Sequence, residues 1–181
     1  SAAALDAAAG ADPGAPWAAP ALGGPLLPRV ARPPGRLRIA FSDRPLLGRT
    51  VHADCVAAVR DAAALLQSLG HDVEEAAPVI DRPGVEAAFV TVIAAETAAD
   101  IAQLAQTLGR RIAPAELEPA TAALGLLGRS FTAGDLALAQ RTLHGVGRAL
   151  VPFFQRHDLL LTPTLGAPPA PIGALQPTAV E

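Results

Sequence analysis

Lysine, asparagine, methionine and tyrosine are absent from the sequence of 181 residues, and all 14 basic residues are arginine. Without lysine, no reaction can use a lysine of this chain as its base or its nucleophile. The net charge of -3 and the scattered arginines provide no basic cluster, so nucleic acid is not an expected partner. The length is sufficient for one domain with a hydrophobic core.

Metal-binding and redox patterns are also missing. Cys55 cannot form an internal disulfide, and it falls on the apolar stripe of a predicted helix, which indicates a small core residue rather than a nucleophile. The four histidines lie far apart and match no spacing of metal ligands. They are His52, His71, His144 and His157. We therefore expect neither a metal nor another cofactor.

No run of about 18 apolar residues occurs, so no membrane span is predicted. The first ten residues, SAAALDAAAG, lack the basic and long apolar regions of a signal peptide. These features favour a cytoplasmic protein without a membrane partner. The sequence begins without methionine and ends just after a proline-rich stretch, from which we expect a segment of a longer protein.

Residues 36–80 carry the pattern of a strand, a helix and a second strand. Leu37, Ile39 and Phe41 alternate with polar or small residues, which predicts a strand. An apolar stripe then recurs at helical spacing until Gly70, which is placed to end the helix. The segment 72–79 follows as the second strand. This order favours an α/β fold with a parallel sheet.

The flanking regions are predicted to be a crossing segment and a group of helices. Residues 1–35 are expected to form the tail of a helix and then a Pro/Gly-rich crossing over the surface, held by Trp17 and Leu26-Leu27. Residues 83–157 are expected to be helical. Pro114 and Pro119 are placed to open short helices, and the run from Thr132 to Asp135 resembles a capping box.

The stretch 158–181 is predicted to be a central strand followed by a proline-rich loop. The leucines 159–161 would be apolar on both faces, as in a parallel strand with helices above and below, so a position in the middle of the sheet is expected. Pro163 and the later prolines force the chain out of the sheet. Ligands of open α/β sheets bind beyond the carboxyl ends of the strands, which makes Thr162 and Thr164 candidates for contact with a ligand.

Other polar residues have a structural interpretation beside the functional one. Glu96 is surrounded by alanines, so it either faces a pocket or lies on the solvated side of a helix. Asp158 is interpreted as a strand-entry residue that hydrogen-bonds nearby backbone. Ser42 and the other three serines stand alone, and none lies in a Gly-x-Ser-x-Gly motif. The residues themselves therefore indicate no catalytic group.

Several stretches in this order resemble hydrolases of the amidase signature family. LRIAFSDRPLLGRTVHADCVAAVRDAAALLQSLGHDVEEAAP is similar to the strand, helix and strand that follow the family's catalytic core, and HDLLLTPTLGAPPAPIG is similar to its later strand and proline loop. LDAAAGADPGAPWAAP resembles the segment just after the serine-rich signature. With RRIAPAELEPATAAL, the sequence resembles most the branch that includes 6-aminohexanoate cyclic dimer hydrolases. The resemblance extends over nearly the whole chain.

This resemblance implies a mixed sheet largely covered by helices and the hydrolysis of a small-molecule amide through a serine acyl-enzyme. In the family, a lysine acts through a second serine, and backbone N–H groups of a Gly-Ser-rich loop hold the oxyanion. None of these parts is in this chain. We therefore expect the middle to C-terminal portion of an amidase, which is inactive without the segment that supplies them. Its open apolar faces favour association, for which a homodimer is one form.

Within that interpretation, the predicted long helix and the proline loop would face the acyl pocket. The pocket candidates are Phe89, Glu96, Thr162 and Thr164. A degenerate amidase-like module that binds or assembles without catalysis remains an alternative. An unrelated nucleotide-binding domain is a weaker one, because no glycine fingerprint follows either early strand.

Overall fold

The computed structural model describes residues 1–10, 12–16, 19–44 and 50–175. The chain divides into two compact units, Ser1–Leu37 and Arg38–Glu181, close to the predicted border at residue 36. That all 181 residues form one domain stays a prediction. Over the described ranges, none of the helices has the length and apolar character needed to cross a membrane.

A carboxylate links the two helical elements of the first unit. Helix α1 spans Ala2–Ala8, and a short 3-10 helix follows at Leu27–Arg29. Asp6 of α1 accepts hydrogen bonds from the backbone N–H groups of Leu26 (2.7 Å) and Leu27 (2.9 Å), which lowers the pKa of Asp6. These bonds tie the start of the 3-10 helix to α1. That the Leu26-Leu27 pair holds the crossing to the rest of the protein stays a prediction. Trp17 lies outside the described residues.

The second unit contains a parallel sheet of three strands. Strand β1 spans Arg38–Phe41, β2 spans Asp72–Glu75 and β3 spans Leu159–Leu161. Helix α2 (Ala53–Ser68) lies between β1 and β2 in the chain, and Gly70, with φ +91°, makes the turn that follows it. Both neighbours run parallel to β1. This confirms the predicted α/β fold with helix-covered strands.

The order of the strands in the described sheet is β2-β1-β3, so β1 is central and β3 lies at an edge. The prediction of a central position for the leucine strand is therefore wrong for this sheet. The three leucines indicate apolar contacts on both faces, but this pattern does not specify how many neighbours pair with the backbone. Ile39 and Ala40 of β1 are fully buried on opposite faces, whereas Leu159 is 49% exposed.

Three helices lie between β2 and β3 in the chain. They are α3 (Arg82–Thr107), α4 (Pro119–Gly128) and α5 (Ala133–Arg156), and a second 3-10 helix, Pro114–Glu116, precedes α4. Local sequence explains how they start. Pro114 and Pro119 each occupy the first position of a helix, and Thr132 and Asp135 form a reciprocal capping box, as predicted.

Helix α3 packs on both α4 and α5. Its contact with α4 is close because two buried glycines, Gly125 and Gly128, present no side chain to it. Ala94 on α3 has no exposed surface. Small residues on both helices thus allow the backbones to approach, and this pairing forms the helical core of the unit.

Polar contacts fix β3 where it enters the sheet. Asp158 accepts from the backbone N–H of Arg38 (2.8 Å) and from its guanidinium (2.8 Å). Nε2 of the buried His157 ring lies 2.6 Å from the Glu74 carboxylate of β2, and Nδ1 lies 3.1 Å from the carbonyl oxygen of Phe153. The dipeptide before β3 therefore ties this edge strand to both other strands. The prediction that Asp158 bonds backbone at the strand entry is confirmed.

The stability of the second unit should depend on pH through Asp158. Hydrogen bonds from Arg38 lower the pKa of Asp158 from 3.8 to about 2. A carboxyl with a depressed pKa stabilises the fold above its unfolded pKa, and this stabilisation is lost as the pH falls from about 4 to about 2. The midpoint of urea unfolding should thus decrease over this range by more in the original chain than in Asp158→Asn.

The same comparison with Asp61→Asn, an exposed carboxylate of α2, provides the matched control. That variant should keep the pH dependence of the original chain, because other depressed carboxyls such as Asp135 and Glu116 also contribute to the slope. Parallel pH profiles for Asp158→Asn and the original chain would exclude the Arg38 contact as a source of stability.

Candidate functional site at the carboxyl edge of the sheet

The three strands end at one edge of the sheet because they run parallel. Beyond β1, the backbone N–H of Ser42 donates to the carbonyl oxygen of Leu161 at 3.0 Å. On the other side of β1, the N–H of Ala76 donates to the carbonyl oxygen of Phe41 at 3.0 Å. The pairing therefore continues one residue past the strands, and the loops that leave the sheet start side by side.

The proline loop after β3 returns to the start of α2. The carbonyl oxygen of Gly166 accepts a hydrogen bond of 2.7 Å from the backbone N–H of His52, the residue that caps α2. The His52 ring caps the helix through Nδ1, which accepts from the N–H of Asp54 at 3.2 Å.

The polar side chains just after β1 are engaged within the fold. Ser42 is buried, and its hydroxyl donates to the carbonyl oxygen of Arg44 and accepts from the N–H of Arg44, both at 3.2 Å. Asp43 accepts from the Arg60 guanidinium of α2, with 2.8 Å to Nε. Both residues thus shape the loop after β1. Ser42 is not a free nucleophile, because its hydroxyl bonds the backbone of its own turn.

Thr162 and Thr164 lie at the carboxyl edge, directly after β3, where the sequence placed them. Both are exposed, and neither hydroxyl makes a hydrogen bond with a described residue. Pro163 between them is half-buried. Two unengaged hydroxyls beside the ends of neighbouring strands can donate to or accept from a ligand.

Phe89 and Glu96 lie on α3, and both side chains are exposed. Phe89 is 54% exposed and has no aromatic neighbour among the described residues. The carboxylate of Glu96 makes no hydrogen bond with them either. No hydrogen bond or ring contact in the described part of the chain joins this pair of residues to Thr162 and Thr164. That the four residues face one pocket stays a prediction.

The described residues contain no catalytic constellation. No three His, Cys, Asp or Glu side chains among them lie together in a way that could hold a metal ion. The one hydroxyl–carboxylate pair of the described ranges, Thr132 with Asp135 at 2.7 Å, is the cap of α5. A cavity of about 680 Å³ in the first unit contains one titratable side chain, Asp6, whose oxygens are both used by backbone N–H groups. The polar groups of that cavity are therefore used within the fold.

The pairs Arg38–Asp158 and His157–Glu74 were not predicted from the sequence. The position of His157 and Asp158 directly before an apolar strand was the available signal, because polar residues there are either solvated or bonded to a neighbouring strand. The partners, separated by 120 and 83 positions, depend on the order of the strands and could not be read from local spacing.

Comparisons with known proteins agree with this fold. The family model described as Amidase matches residues 1–181. The chain is 32% identical over 120 residues to a 6-aminohexanoate-cyclic-dimer hydrolase of Pseudomonas, covering 65% of this chain and 24% of that protein. It is also 32% identical over 156 residues to the putative amidase AmiB2 of Mycobacterium tuberculosis, covering 84% of this chain and 32% of the relative.

Solved structures give the same result. The structure of 6-aminohexanoate cyclic dimer hydrolase superposes with a TM-score of 0.89 at 27% identity, over 98% of this chain and 37% of that one. The same hydrolase complexed with substrate superposes with a TM-score of 0.86, over 95% and 36%. The chain spans about a quarter to a third of the length of these curated relatives. The match along all 181 residues shows that the chain belongs to the amidase signature family.

Proposed function

We propose that this chain is the scaffold and pocket-wall portion of an enzyme that hydrolyses carbon–nitrogen amide bonds. The observation that carries the proposal is the family match over residues 1–181, with a structural superposition that covers nearly the whole chain. The relatives that it resembles include a hydrolase of 6-aminohexanoate cyclic dimer, which supports a small-molecule amide as the substrate.

The chemistry requires groups that these 181 residues do not contain. In the proposed reaction a serine attacks the amide carbonyl, its proton passes through a second serine to a neutral lysine, and N–H groups stabilise the oxyanion. The amine then leaves with a proton, and water hydrolyses the acyl ester. No lysine and no pair of adjacent serines occurs in the sequence. We propose that further polypeptide of the same protein supplies them.

Exposed apolar side chains support a role as part of a larger body. Leu104 and Leu108 of α3, Phe154 of α5 and Leu159 of β3 are each at least two-fifths exposed. The backbone of β3 pairs with β1 alone among the described residues. Uncovered apolar groups on a helical face and a sheet edge are typical of surfaces that bind other polypeptide. We propose that the remainder of the amidase covers these surfaces. Association with a second copy of the chain is the competing possibility.

The pocket wall is proposed from the two exposed elements that carry unengaged side chains. Thr162 and Thr164 would contact the polar amide region of the substrate, because their hydroxyls lie at the carboxyl edge and bond no described residue. Phe89 would contact its aliphatic part, and Glu96 would lie about two helical turns further along the same helix α3. This assignment depends on the proposed function.

A turnover measurement tests the proposed function. The polypeptide encoded by the complete reading frame should hydrolyse a linear or cyclic aliphatic amide, whereas a chain of these 181 residues should release no amine above background. Amine release can be followed with a fluorogenic amine reagent. Turnover by the purified 181-residue chain alone would overturn the proposed dependence on an external lysine and serine.

The alternative is an amidase-like module that binds or assembles without catalysis. The absence of lysine and of adjacent serines from these 181 residues fits both functions. The two functions make opposite predictions about the reading frame. A coding region for a lysine and a Gly-Ser-rich loop directly upstream supports the enzyme, and an independent start codon after unrelated sequence supports the module.

Replacing Phe89 by alanine in the complete enzyme should change the preference among amides. The 54% exposed ring offers apolar area to an aliphatic substrate, and loss of such a contact changes relative kcat/KM values by about 10-fold. The measurement compares a short-chain and a long-chain amide. Leu65→Ala on α2, which removes a side chain of 59% exposure elsewhere, should leave the ratio unchanged. Equal ratios for both variants would remove Phe89 from the pocket.

A further inference from the structure

A small apolar pocket lies in the helical part of the second unit, apart from the carboxyl edge of the sheet. Its volume is about 280 Å³, and it is bounded by α3, the second 3-10 helix and α4. Its lining is almost entirely aliphatic. The residues that matter here are Ala98, Ile101, Ile112, Leu117, Ala123 and Arg129.

The walls of the pocket are held in place by specific contacts. Gly125 lies directly against Ile101 and Gly128 against Ala94, so α3 and α4 cannot separate without losing this packing. On the opposite wall, Arg110 bonds Glu116 through two nitrogens at 2.8 and 3.0 Å, and Glu116 also accepts from the N–H of Ala113 at 2.8 Å. These bonds fix the loop that carries Ile112. The pocket is therefore preformed.

Arg129 is the one charged side chain in the lining. Its guanidinium makes no hydrogen bond or ion pair with a described residue. It follows the last residue of α4, where the helix end has a partial negative charge of about half a unit. The full positive charge of the guanidinium exceeds this, so the mouth of the pocket favours an anion. A guanidinium matches a carboxylate with two parallel hydrogen bonds.

We propose that this pocket binds a small aliphatic monocarboxylate, with its hydrocarbon chain between α3 and α4 and its carboxylate on Arg129. The volume lies just below the range of about 300–1,000 Å³ that is usual for drug-sized ligands, so a chain of about six to eight carbons is the appropriate size. The aliphatic lining excludes a ligand with polar groups along its length, since none of the lining side chains but Arg129 can bond them. The inference is independent of the proposed function.

Titration of the complete protein with octanoate tests the site. We expect saturable binding with a Kd on the order of 1 mM, as befits a ligand of about ten non-hydrogen atoms. The Nε–H resonance of Arg129 should shift in ¹H–¹⁵N spectra along the same isotherm. Shortening the ligand to butyrate should weaken binding by roughly fourfold for each buried methylene removed.

Three substitutions and one neutral ligand distinguish the contribution of the charge to binding from that of the apolar chain. Arg129→Gln should weaken octanoate binding about tenfold, and octan-1-ol should bind the original chain with similarly reduced affinity. Ala123→Leu, which fills the pocket with a good helix former, should abolish binding. Arg141→Gln, an exposed arginine on α5, should change nothing.

The outcomes are decisive in each case. Equal affinity for octanoate and octan-1-ol would show an apolar groove suited to a side chain of other polypeptide and would overturn the carboxylate site. Unsaturable shifts, or shifts unaffected by Ala123→Leu in a variant whose circular dichroism is unchanged, would show that octanoate binds elsewhere. The proposed amide hydrolysis could fail its own test while this binding persists.

Discussion

Replacing Gly128 by alanine should lower the free energy of unfolding by about 3 kcal/mol, near the upper end of what overpacking usually costs. A Cβ at Gly128 would overlap the carbonyl oxygen of Ala94 and would lie 2.9 Å from the Cβ of Ala98. Both obstacles belong to α3 and neither can rotate away, because one is backbone and the other is attached directly to it. Helices α3 and α4 would have to separate along their buried contact.

The helix propensity of alanine acts in the opposite direction and is smaller. Alanine is favoured over glycine by about 1 kcal/mol inside a helix, which is less than the cost of the overlap, so Gly128→Ala is expected to be destabilising. Gly147→Ala on α5 measures the effect of helix propensity alone, because a Cβ there meets no atom within 4 Å. That control should raise the free energy of unfolding by about 1 kcal/mol. Urea unfolding followed by circular dichroism at one low chain concentration measures both, and a Gly128→Ala variant as stable as Gly147→Ala would contradict the packing.

The starts and ends of the helices were predictable because they depend on neighbours in sequence. Thr132 and Asp135 can cap α5 only if they are three residues apart, and Pro119 lacks the N–H that the first turn of α4 would leave unpaired. Gly70 adopts the positive φ that a turn after α2 requires. In each case the physical cause lies within four residues, so the sequence pattern is sufficient.

The place of the leucine strand was not predictable from the same kind of evidence. Leu159–Leu161 are apolar on both faces, yet the hydrogen bonds that decide between edge and centre go to strands far away in sequence. The close contact of Gly128 with Ala94 is similar, since the glycines of α4 mark a near approach only when the partner helix is known. The features of the fold that could not be predicted therefore depend on contacts between residues far apart in sequence.

The candidate site also has a part that the sequence predicts and a part that it does not. That Thr162 and Thr164 follow a parallel strand could be predicted, because Leu159–Leu161 and Pro163 define where the strand stops. Their relation to Phe89 and Glu96 depends on how α3 and the proline loop meet a substrate, which no local pattern encodes. The hydrogen bonds of the Ser42 hydroxyl could not be predicted either, because its partners are backbone atoms of its own turn.

Replacing His157 by alanine should lower the free energy of unfolding by about 3 kcal/mol, as expected when a large buried side chain is removed together with its hydrogen bonds. The ring is buried, and its centroid lies 4.5 Å from that of Phe153. Nδ1 lies 3.1 Å from the carbonyl oxygen of Phe153, and Nε2 lies 2.6 Å from the Glu74 carboxylate. Alanine would leave a cavity at the end of α5 and remove the link from β3 to β2.

Two further variants separate the packing of the ring from its bond to Glu74. The Glu74 side chain is 70% exposed, so water can replace the lost partner and Glu74→Gln, which keeps an oxygen acceptor, should cost less than about 1 kcal/mol. His144→Ala removes an exposed imidazole from the same helix and should change stability by less than about 0.5 kcal/mol. Urea unfolding of the three variants ranks them. If His157→Ala were no less stable than His144→Ala, the buried ring would contribute nothing to holding the edge strand, and β3 would depend on Asp158 and the backbone pairing with β1 alone.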